Sequence, residues 1–282
     1  MITKIIHEDK IQKAHKYIEK GESFVIVTHV SPDGDAIGSA LGLFHFLNAY
    51  GKENVSVIVP NDYPNFLKWM PGTKDVTIYE KYPEFSEQLI SDADVIFCLD
   101  FNDPKRIEKL ADPVLKSEAR KVLIDHHLHP VEFCNVTMSY PNISSTSEMV
   151  FRFICRMGLF DLIDKNAAEC IYTGMMTDTG AFTYNSNHPE IYTIIGELIK
   201  LGIDKDLIYR RINQVYSEGR LRLMGYVLYE KMKVHHDKQA AMIALSMDEL
   251  NRFDYQTGDT EGFVNLPLSI EGVSFSVFIR ED

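Results

Sequence analysis

Aspartate and histidine residues recur in short polar stretches, and each stretch follows an apolar run of the chain. They are His29, Asp33 and Asp35 in the first stretch, Asp100 in the second, Asp125, His126 and His127 in the third, and Asp178 in the fourth. Carboxylates that come together disfavour joint ionisation unless a cation lies between them. Oxygen and imidazole ligands without thiolates suit manganese or a similar divalent ion better than structural zinc. The pattern therefore predicts a divalent-metal site.

Each residue, taken alone, has a simpler explanation than metal binding. Asp33 and Asp35 belong to a Pro-Asp-Gly-Asp sequence, which is a common turn in which Asp35 would cap the next helix. Asp100 could cap a helix, and Asp178 could occupy a Thr-Asp-Thr-Gly turn. The two histidines could be an ordinary pair near a strand end. Their joint occurrence at successive strand ends is what favours the metal site.

Short apolar runs rich in β-branched residues predict the strands that position these side chains. The predicted strands cover residues 24–28, 54–60, 95–99 and 122–125. A helix starting near Ala36 should follow the first strand. The alternation of strands and helices implies an α/β fold with a mostly parallel sheet flanked by helices. Because the carboxyl ends of parallel strands share one sheet edge, where open α/β sheets bind ligands, the polar stretches should converge there.

The sequence pattern changes twice along the chain, which predicts three parts. Residues 1–188 should form the α/β domain, which opens with a charged amphipathic helix. Residues 189–235 are helical and rich in charge, as expected of a connector between domains. Residues 236–282 should form a smaller, incomplete α/β domain, with a strand and short helix in 239–250 and a last strand in 272–282.

Five polar residues outside the four stretches are weaker candidates for substrate contacts. They are Ser144, Ser145 and Thr146 at the start of a predicted helix over 144–158, and Arg210 and Arg211 on the predicted connector. A helix N-terminus is a natural anion site, and an arginine on the connector could reach a phosphate. The alternatives are simple helix capping, since Ser145 and Glu148 have capping-box spacing, and a solvated helix face for the arginines.

The composition indicates a globular protein with a full core. Hydrophobic residues make up 45% of the 282, and no apolar run approaches the length that crosses a bilayer. The opening segment lacks the apolar centre of a signal peptide, which predicts a cytoplasmic protein without membrane partners. The four cysteines have no CxxC spacing and should be reduced core thiols. The net charge of −12 disfavours a duplex-binding surface, so a polyanionic substrate would need metals or a small arginine cluster.

Four segments together resemble the motifs of the DHH phosphoesterases, a family named after the Asp-His-His triplet at 125–127. They are THVSPDGDAIGSALGL, LDFND, IDHH and YTGMMTDTGAF, in the family's order. Within the family, PDGDAIGSALGL and DTEGFVNLPLSI (259–270) are most similar to the bifunctional oligoribonuclease (nanoRNase) and 3'-phosphoadenosine 5'-phosphate (pAp) phosphatase branch. The resemblance implies a manganese-dependent hydrolase of short oligoribonucleotides, dinucleotides or pAp that forms a homodimer.

The resemblance also implies two metal ions, manganese in the first instance, with magnesium or another divalent ion as alternatives. The implied ligands are His29 and Asp33 for one ion, Asp35, His126 and Asp178 for the other, and Asp100 as a bridge between them. Asp125 would orient a ligand histidine, and His127 would face the substrate phosphate as a hydrogen-bond donor or proton source. Water between the two metals would attack phosphorus in line, with no covalent intermediate.

The C-terminal part departs from the family's pattern. Relatives of this branch carry a glycine-rich segment with a histidine that grips the substrate, and no such segment occurs before Asp282. Residues 236–282 are therefore expected to be a partial DHHA1-like substrate-binding domain. This departure affects the expected substrate binding and not the expected metal binding, because every metal-ligand position is present.

Three other functions compete with the oligoribonuclease and pAp phosphatase assignment. A phosphodiesterase of cyclic or linear dinucleotides would share the same catalytic domain. A pyrophosphatase or exopolyphosphatase would share the first domain, although DTEGFVNLPLSI argues against it. A non-catalytic nucleotide-binding protein on this fold would bind nucleotides without releasing product.

Overall fold

A computed structural model describes residues 4–281 of the chain, which form two units. The first unit contains the residues up to Tyr63 together with Leu67–Arg211. The second unit contains Pro64–Phe66 and the residues from Ile212 onward. This boundary falls inside the predicted connector 189–235, and the division into three domains stays a prediction.

A six-stranded parallel sheet lies at the centre of the first unit. Its strands are β1 (Ser23–Val27), β2 (Asn54–Val59), β3 (Val76–Ile78), β4 (Val95–Leu99), β5 (Arg120–Asp125) and β6 (Val136–Ser139). Their spatial order is β3-β2-β1-β4-β5-β6. The order reverses between β1 and β4, and open α/β sheets bind ligands at the carboxyl ends of the strands at such a point. The predicted parallel α/β fold is confirmed.

The four predicted strands all form, whereas the two edge strands were missed. β4 is buried at all five positions, which explains its uninterrupted apolar sequence. β3 has only three residues and all are partly exposed, and β6 alternates between buried and partly exposed positions. Neither edge strand therefore has the continuous apolar run that marks the central strands.

Helices surround this sheet. Those that begin in the first unit are α1 (Glu8–Lys20), α2 (Gly34–Ala49), α3 (Pro83–Ser91), α4 (Ala111–Lys116), α5 (Thr146–Arg156), α6 (Lys165–Asp178), α7 (Pro189–Lys200) and α8 (Lys205–Asn213). No helix within residues 4–281 is both long enough and apolar enough to cross a membrane. All four cysteines are free thiols.

The start of α2 corrects one detail of the sequence prediction. The helix begins at Gly34 rather than near Ala36, and its N-cap is Asp33 rather than Asp35. Oδ1 of Asp33 accepts hydrogen bonds from the backbone N–H groups of Asp35 (2.9 Å) and Ala36 (3.0 Å). The carboxylate of Asp35 is therefore not used by the cap.

Helices α2 and α6 pack closely and run in opposite directions. Gly38 permits the close approach, because a Cβ atom there would lie 2.8 Å from the backbone nitrogen of Gly174. The start of α2 therefore lies against the end of α6. This packing brings Asp35, in the first turn of α2, close to Asp178, the last residue of α6.

The second unit contains a three-stranded sheet with the order β7-β8-β9. Its elements are α9 (Glu218–Tyr226), β7 (Lys233–His235), β8 (Ala240–Leu245), α10 (Met247–Asn251) and β9 (Phe275–Arg280). The strand and short helix predicted in 239–250 and the last strand are all present. Asp282, at the end of the predicted last strand, lies outside the described residues.

Candidate metal centre

The four polar stretches meet at the carboxyl edge of the parallel sheet. His29 follows β1, Asp100 follows β4 directly, and Asp125 is the last residue of β5. Asp178 joins them from the end of α6. These residues come together because β1, β4 and β5 are neighbours in the sheet and α6 is packed against α2.

Within residues 4–281, three overlapping groups of side chains have ligand atoms close enough to hold a metal ion. The groups are His29, Asp33 and Asp100; Asp35, His126 and Asp178; and Asp100, His126 and His127. The ligand atoms of each group lie within 4.8 Å of one another. The first two groups divide the residues as the family resemblance implies. The residues are thus brought together, and their assignment as ligands stays a prediction.

Asp100 lies between the two predicted ligand groups and turns one carboxylate oxygen towards each. Its Oδ2 is 3.4 Å from Nε2 of His29, and its Oδ1 is 3.6 Å from Nε2 of His126. Each histidine also approaches a carboxylate of its own group, with Nε2 of His29 3.8 Å from Oδ1 of Asp33 and Nε2 of His126 3.5 Å from Oδ2 of Asp178. This geometry suits a carboxylate that bridges two cations.

The backbone of Asp100 is held in an uncommon conformation. Its φ angle is +65°, in the left-handed region that few residues other than glycine adopt, although aspartate and asparagine tolerate it best. The side chain is only 2% exposed, and the hydroxyl of Thr146 donates a hydrogen bond of 2.9 Å to Oδ1. Strained conformations of this kind concentrate at functional sites.

The N-terminus of α5 binds a carboxylate of the protein itself. The backbone N–H groups of Thr146 and Ser147 donate hydrogen bonds of 2.6 and 2.9 Å to the two oxygens of Asp35. Ser145 is the N-cap, and its hydroxyl accepts a hydrogen bond from the N–H of Glu148. Ser144, Ser145 and Thr146 therefore have contacts inside the protein, and their predicted contact with substrate stays a prediction.

Asp125, expected to orient a ligand histidine, instead contacts His127, the histidine expected to face the substrate phosphate. Oδ1 of Asp125 lies 2.7 Å from Nδ1 of His127, and Oδ2 accepts a hydrogen bond of 3.0 Å from the backbone N–H of the same residue. Nδ1 of His126 instead faces the carbonyl oxygen of Ile143 at 3.3 Å. Both imidazoles are fixed through Nδ1, which leaves Nε2 as the nitrogen that can bind a ligand.

The acidic side chains repel one another, as their pKa values show. Burial and the charge of Asp100 raise the pKa of Asp35 well above its ordinary value. Burial, reinforced by Asp100 and opposed by His126, raises the pKa of Asp178 to about 7. Burial has the largest single effect on His29 and lowers its pKa, but the hydrogen bond to Asp100 and the charges of Asp100 and Asp33 together outweigh burial and raise the pKa to about 9. Negative charge is therefore concentrated where these side chains offer oxygen and imidazole ligand atoms, so the donor set fits a divalent cation.

Sequence reasoning missed one cation at this site, Arg106. Its guanidinium donates a hydrogen bond of 3.4 Å to the carbonyl oxygen of Asp100. The hydrogen bond that His127 donates to Asp125 has the largest effect on the pKa of His127 and raises it, whereas the charge of Arg106 lowers it by less. The sequence DPKRIEKL has positively charged residues shortly after Asp100, and these could have indicated a cation at the site. Pro104 begins a short 3₁₀ segment there.

The two arginines predicted on the connector are not brought to the cluster. Arg211 stacks on Trp69, with its guanidinium carbon 4.8 Å from the ring centroid. Arg210 lies near Asp206, whose pKa it helps to lower after the larger effect of Lys205.

A cavity of about 520 Å³ lies at the opposite edge of the sheet. It is lined by the last turns of α1 and by residues before β4 and β5, and it contains none of the predicted metal ligands. Three cations, Lys16, Lys20 and Arg120, line it together with two anions, Asp94 and Glu118, so its positive and negative charges nearly balance. The cavity therefore does not define a second charged site.

Comparisons with known proteins agree with the geometry. Residues 23–175 match the DHH family, N-terminal domain. The bifunctional oligoribonuclease and PAP phosphatase NrnA of Thermus thermophilus is 32% identical over 91% of this chain and 72% of its own length. The cyclic-di-AMP phosphodiesterase PdeA of Listeria monocytogenes is 23% identical over 96% of this chain and 41% of its own length.

One solved structure is similar over the whole chain. It is the crystal structure of an exopolyphosphatase-related protein from Bacteroides fragilis, which is 60% identical and has a TM-score of 0.95, with coverage of 100% of this chain and 82% of that one. The family match and the Thermus relative together confirm the resemblance drawn from the motifs. The chain is a member of the DHH family, whose enzymes are metal-dependent phosphoesterases.

Proposed function

We propose that this chain is a manganese-dependent phosphoesterase that releases mononucleotides from short oligoribonucleotides and removes the 3'-phosphate of pAp. The observation that carries the proposal is the position of Asp100, whose two oxygens face two separate His/Asp groups. The Thermus relative, named for both activities, supports this choice of substrates.

Each group would hold one ion. The residues are His29, Asp33 and Asp100 for one ion, and Asp35, His126, Asp178 and Asp100 for the other. Two divalent ions bound there would neutralise charge on the phosphate oxygens and lower the pKa of a water between them. The oxygen and imidazole donors support manganese over zinc.

The residues of the chain would divide the remaining work between orientation and proton transfer. Asp125 raises the pKa of His127 and so keeps its imidazole protonated to higher pH. A protonated imidazole beside the cluster can donate its proton to the leaving oxygen of the nucleotide. Arg106 adds a cation next to this imidazole and would pair with a phosphate oxygen of the substrate.

A second candidate function is hydrolysis of cyclic dinucleotides. It is favoured by the Listeria relative, which is named a cyclic-di-AMP phosphodiesterase and matches almost the whole of this chain. The chain spans less than half of that relative, compared with 72% of the Thermus relative. The oligoribonuclease and pAp phosphatase assignment is therefore the better supported of the two.

The test compares four substrates with the same protein sample: a linear diadenylate, pAp, cyclic di-AMP and inorganic polyphosphate. We expect AMP from the first two with manganese, no product after chelation, and little release from cyclic di-AMP or polyphosphate. Faster hydrolysis of cyclic di-AMP would favour the second candidate. Nucleotide binding without any product would contradict an enzymatic function.

Two further properties belong to the proposal. The protein would be a homodimer, which light scattering of the purified chain would check by giving twice the mass of 32.3 kDa. It would act in the cytoplasm on single-stranded or small nucleotides rather than on duplex nucleic acid.

A further inference from the structure

The loop that leads into α5, taken together with the first two residues of that helix, contacts three of the predicted metal ligands. This stretch is residues 143–147, named the loop 143–147, and its partners are His126, Asp100 and Asp35. It offers each partner a different group: a carbonyl oxygen to His126, a hydroxyl to Asp100, and two backbone N–H groups to Asp35. The orientation of these ligands therefore depends on where the loop lies.

The other side of the loop is held by Glu148. Oε2 of Glu148 accepts hydrogen bonds from both the hydroxyl (2.5 Å) and the backbone N–H (3.2 Å) of Ser144. Oε1 accepts a hydrogen bond of 2.7 Å from Nε of Arg152. Glu148 thus departs from the capping box expected with Ser145, because its carboxylate binds the residue before the cap.

The pair of Glu148 and Arg152 is almost completely buried. The two residues are 1% and 3% exposed, and Nη2 of Arg152 continues the network to Oε2 of Glu190, 2.7 Å away in the first turn of α7. Burial of an ion pair costs free energy through desolvation and often stabilises a fold less than apolar side chains would. Stability alone is therefore a weak reason for a buried pair at this position.

We propose that Glu148 and Arg152 are positioning residues, which fix the loop 143–147 so that it orients Asp35, Asp100 and His126 for metal binding. The proposal rests on the metal centre of the proposed function. The two residues are not themselves predicted metal ligands and would act through Ser144 and the start of α5. Partners of this kind typically change metal affinity or activity about 10- to 100-fold when they are removed.

The same helix offers a matched control. Arg156 lies one turn after Arg152 and also forms an ion pair, with Glu8, and a hydrogen bond of 2.8 Å to the carbonyl oxygen of Ile6. Neither partner belongs to the loop or to the metal cluster. Arg156→Met therefore removes an arginine, a charge and an ion pair of α5 without disturbing the loop.

The experiment measures manganese binding calorimetrically and the unfolding temperature of the metal-free protein for each variant. We expect Arg152→Met and the nearly isosteric Glu148→Gln to weaken manganese binding about 10- to 100-fold, and Arg152→Lys to restore part of the affinity. Arg156→Met should keep wild-type affinity even where its unfolding temperature falls. If Arg152→Met and Glu148→Gln lower the unfolding temperature but bind manganese as the wild type does, the positioning role is overturned.

Binding and turnover separate this proposal from the proposed function. A wild-type protein that binds manganese but hydrolyses none of the four substrates would contradict the proposed function, while the calorimetric comparison would still decide the role of Glu148 and Arg152. Unchanged manganese affinity in the variants, with normal hydrolysis by the wild type, would overturn the positioning role alone.

Discussion

The carboxylate of Asp125 holds His127 from two sides, through a contact of 2.7 Å with Nδ1 of the ring and a hydrogen bond of 3.0 Å from the backbone N–H. The ring is thereby fixed with Nε2 free. The pKa of His127 is raised chiefly by the hydrogen bond between its side chain and Asp125, whereas burial lowers it. Asp125 therefore controls both the direction and the protonation of the imidazole expected to serve the leaving group.

Asp125→Asn tests this control. The substitution removes the charge that favours imidazolium, so the pKa of His127 should fall. If protonated His127 donates to the leaving oxygen, the alkaline limb of the pH profile of kcat should move to lower pH, and kcat at neutral pH should drop about 10- to 100-fold. An unchanged alkaline limb, measured with saturating manganese, would exclude His127 as the proton donor.

Metal binding should release protons. Ligands bind metals in their deprotonated forms, whereas His29 and Asp178 in the metal-free protein have pKa values of about 9 and about 7. Manganese affinity should therefore rise as pH rises from about 6 to about 9. Calorimetry in two buffers of different ionisation enthalpy measures the released protons directly. Binding heats that do not depend on the buffer would contradict these pKa values.

The same two groups predict how the stability of the metal-free protein depends on pH. A raised histidine pKa gives stability that is present below the ordinary value of 6.5 and is lost as pH rises through about 9. A raised aspartate pKa likewise loses stability as pH rises from 3.8 through about 7. Manganese should therefore raise the unfolding temperature more at about pH 8.5 than at about pH 6. A larger increase at the lower pH would be the contrary result.

Gly38→Ala tests the packing of α2 against α6. The new Cβ would lie 2.7 Å from the carbonyl oxygen of Cys170, and backbone atoms can yield only if the helices separate. We expect a loss of about 1–3 kcal/mol in the free energy of unfolding, measured by denaturant titration, together with weaker manganese binding. Gly196→Ala in α7 is the control, because a Cβ there meets nothing within 4 Å. Equal effects of the two substitutions would contradict the close-packing argument.

Arg106→Met tests the cation beside the cluster. If Arg106 pairs with a substrate phosphate, KM for a linear diadenylate should rise about tenfold or more, while manganese affinity stays close to that of the wild type. Arg211→Met serves as the comparison, since Arg211 stacks on Trp69 and should leave KM unchanged. If KM rose only in Arg211→Met, the phosphate contact would instead be assigned to Arg211 on the predicted connector.

Much of the fold and of the candidate site could be predicted because the central strands are short apolar runs and the polar residues stand directly after them. The direction of parallel strands then places His29, Asp100 and Asp125 at one edge without knowledge of any contact. Asp178 was harder to place from pattern alone, because it belongs to a helix. Its position depends on the close packing at Gly38.

The remaining features depend on contacts between residues distant in sequence. Asp35 accepts hydrogen bonds from residues 111 and 112 positions further along the chain, so no local pattern marks the start of α5 as its partner. Arg106 lies in a short 3₁₀ segment without helical periodicity. The capping role of Asp33 rather than Asp35 depends on where α2 begins, and helix boundaries are only weakly encoded by sequence.

The two-ion assignment depends most directly on Asp100, and Asp100→Asn is its sharpest test. Asparagine tolerates the φ angle of +65° and keeps the size of the side chain, so the change removes charge with little added strain. The measurement is AMP release from a linear diadenylate, with the manganese content of the same samples. The account predicts two ions per wild-type chain, fewer in the variant, and a loss of activity on the order of 100-fold or more. Full manganese-dependent activity of Asp100→Asn would contradict it.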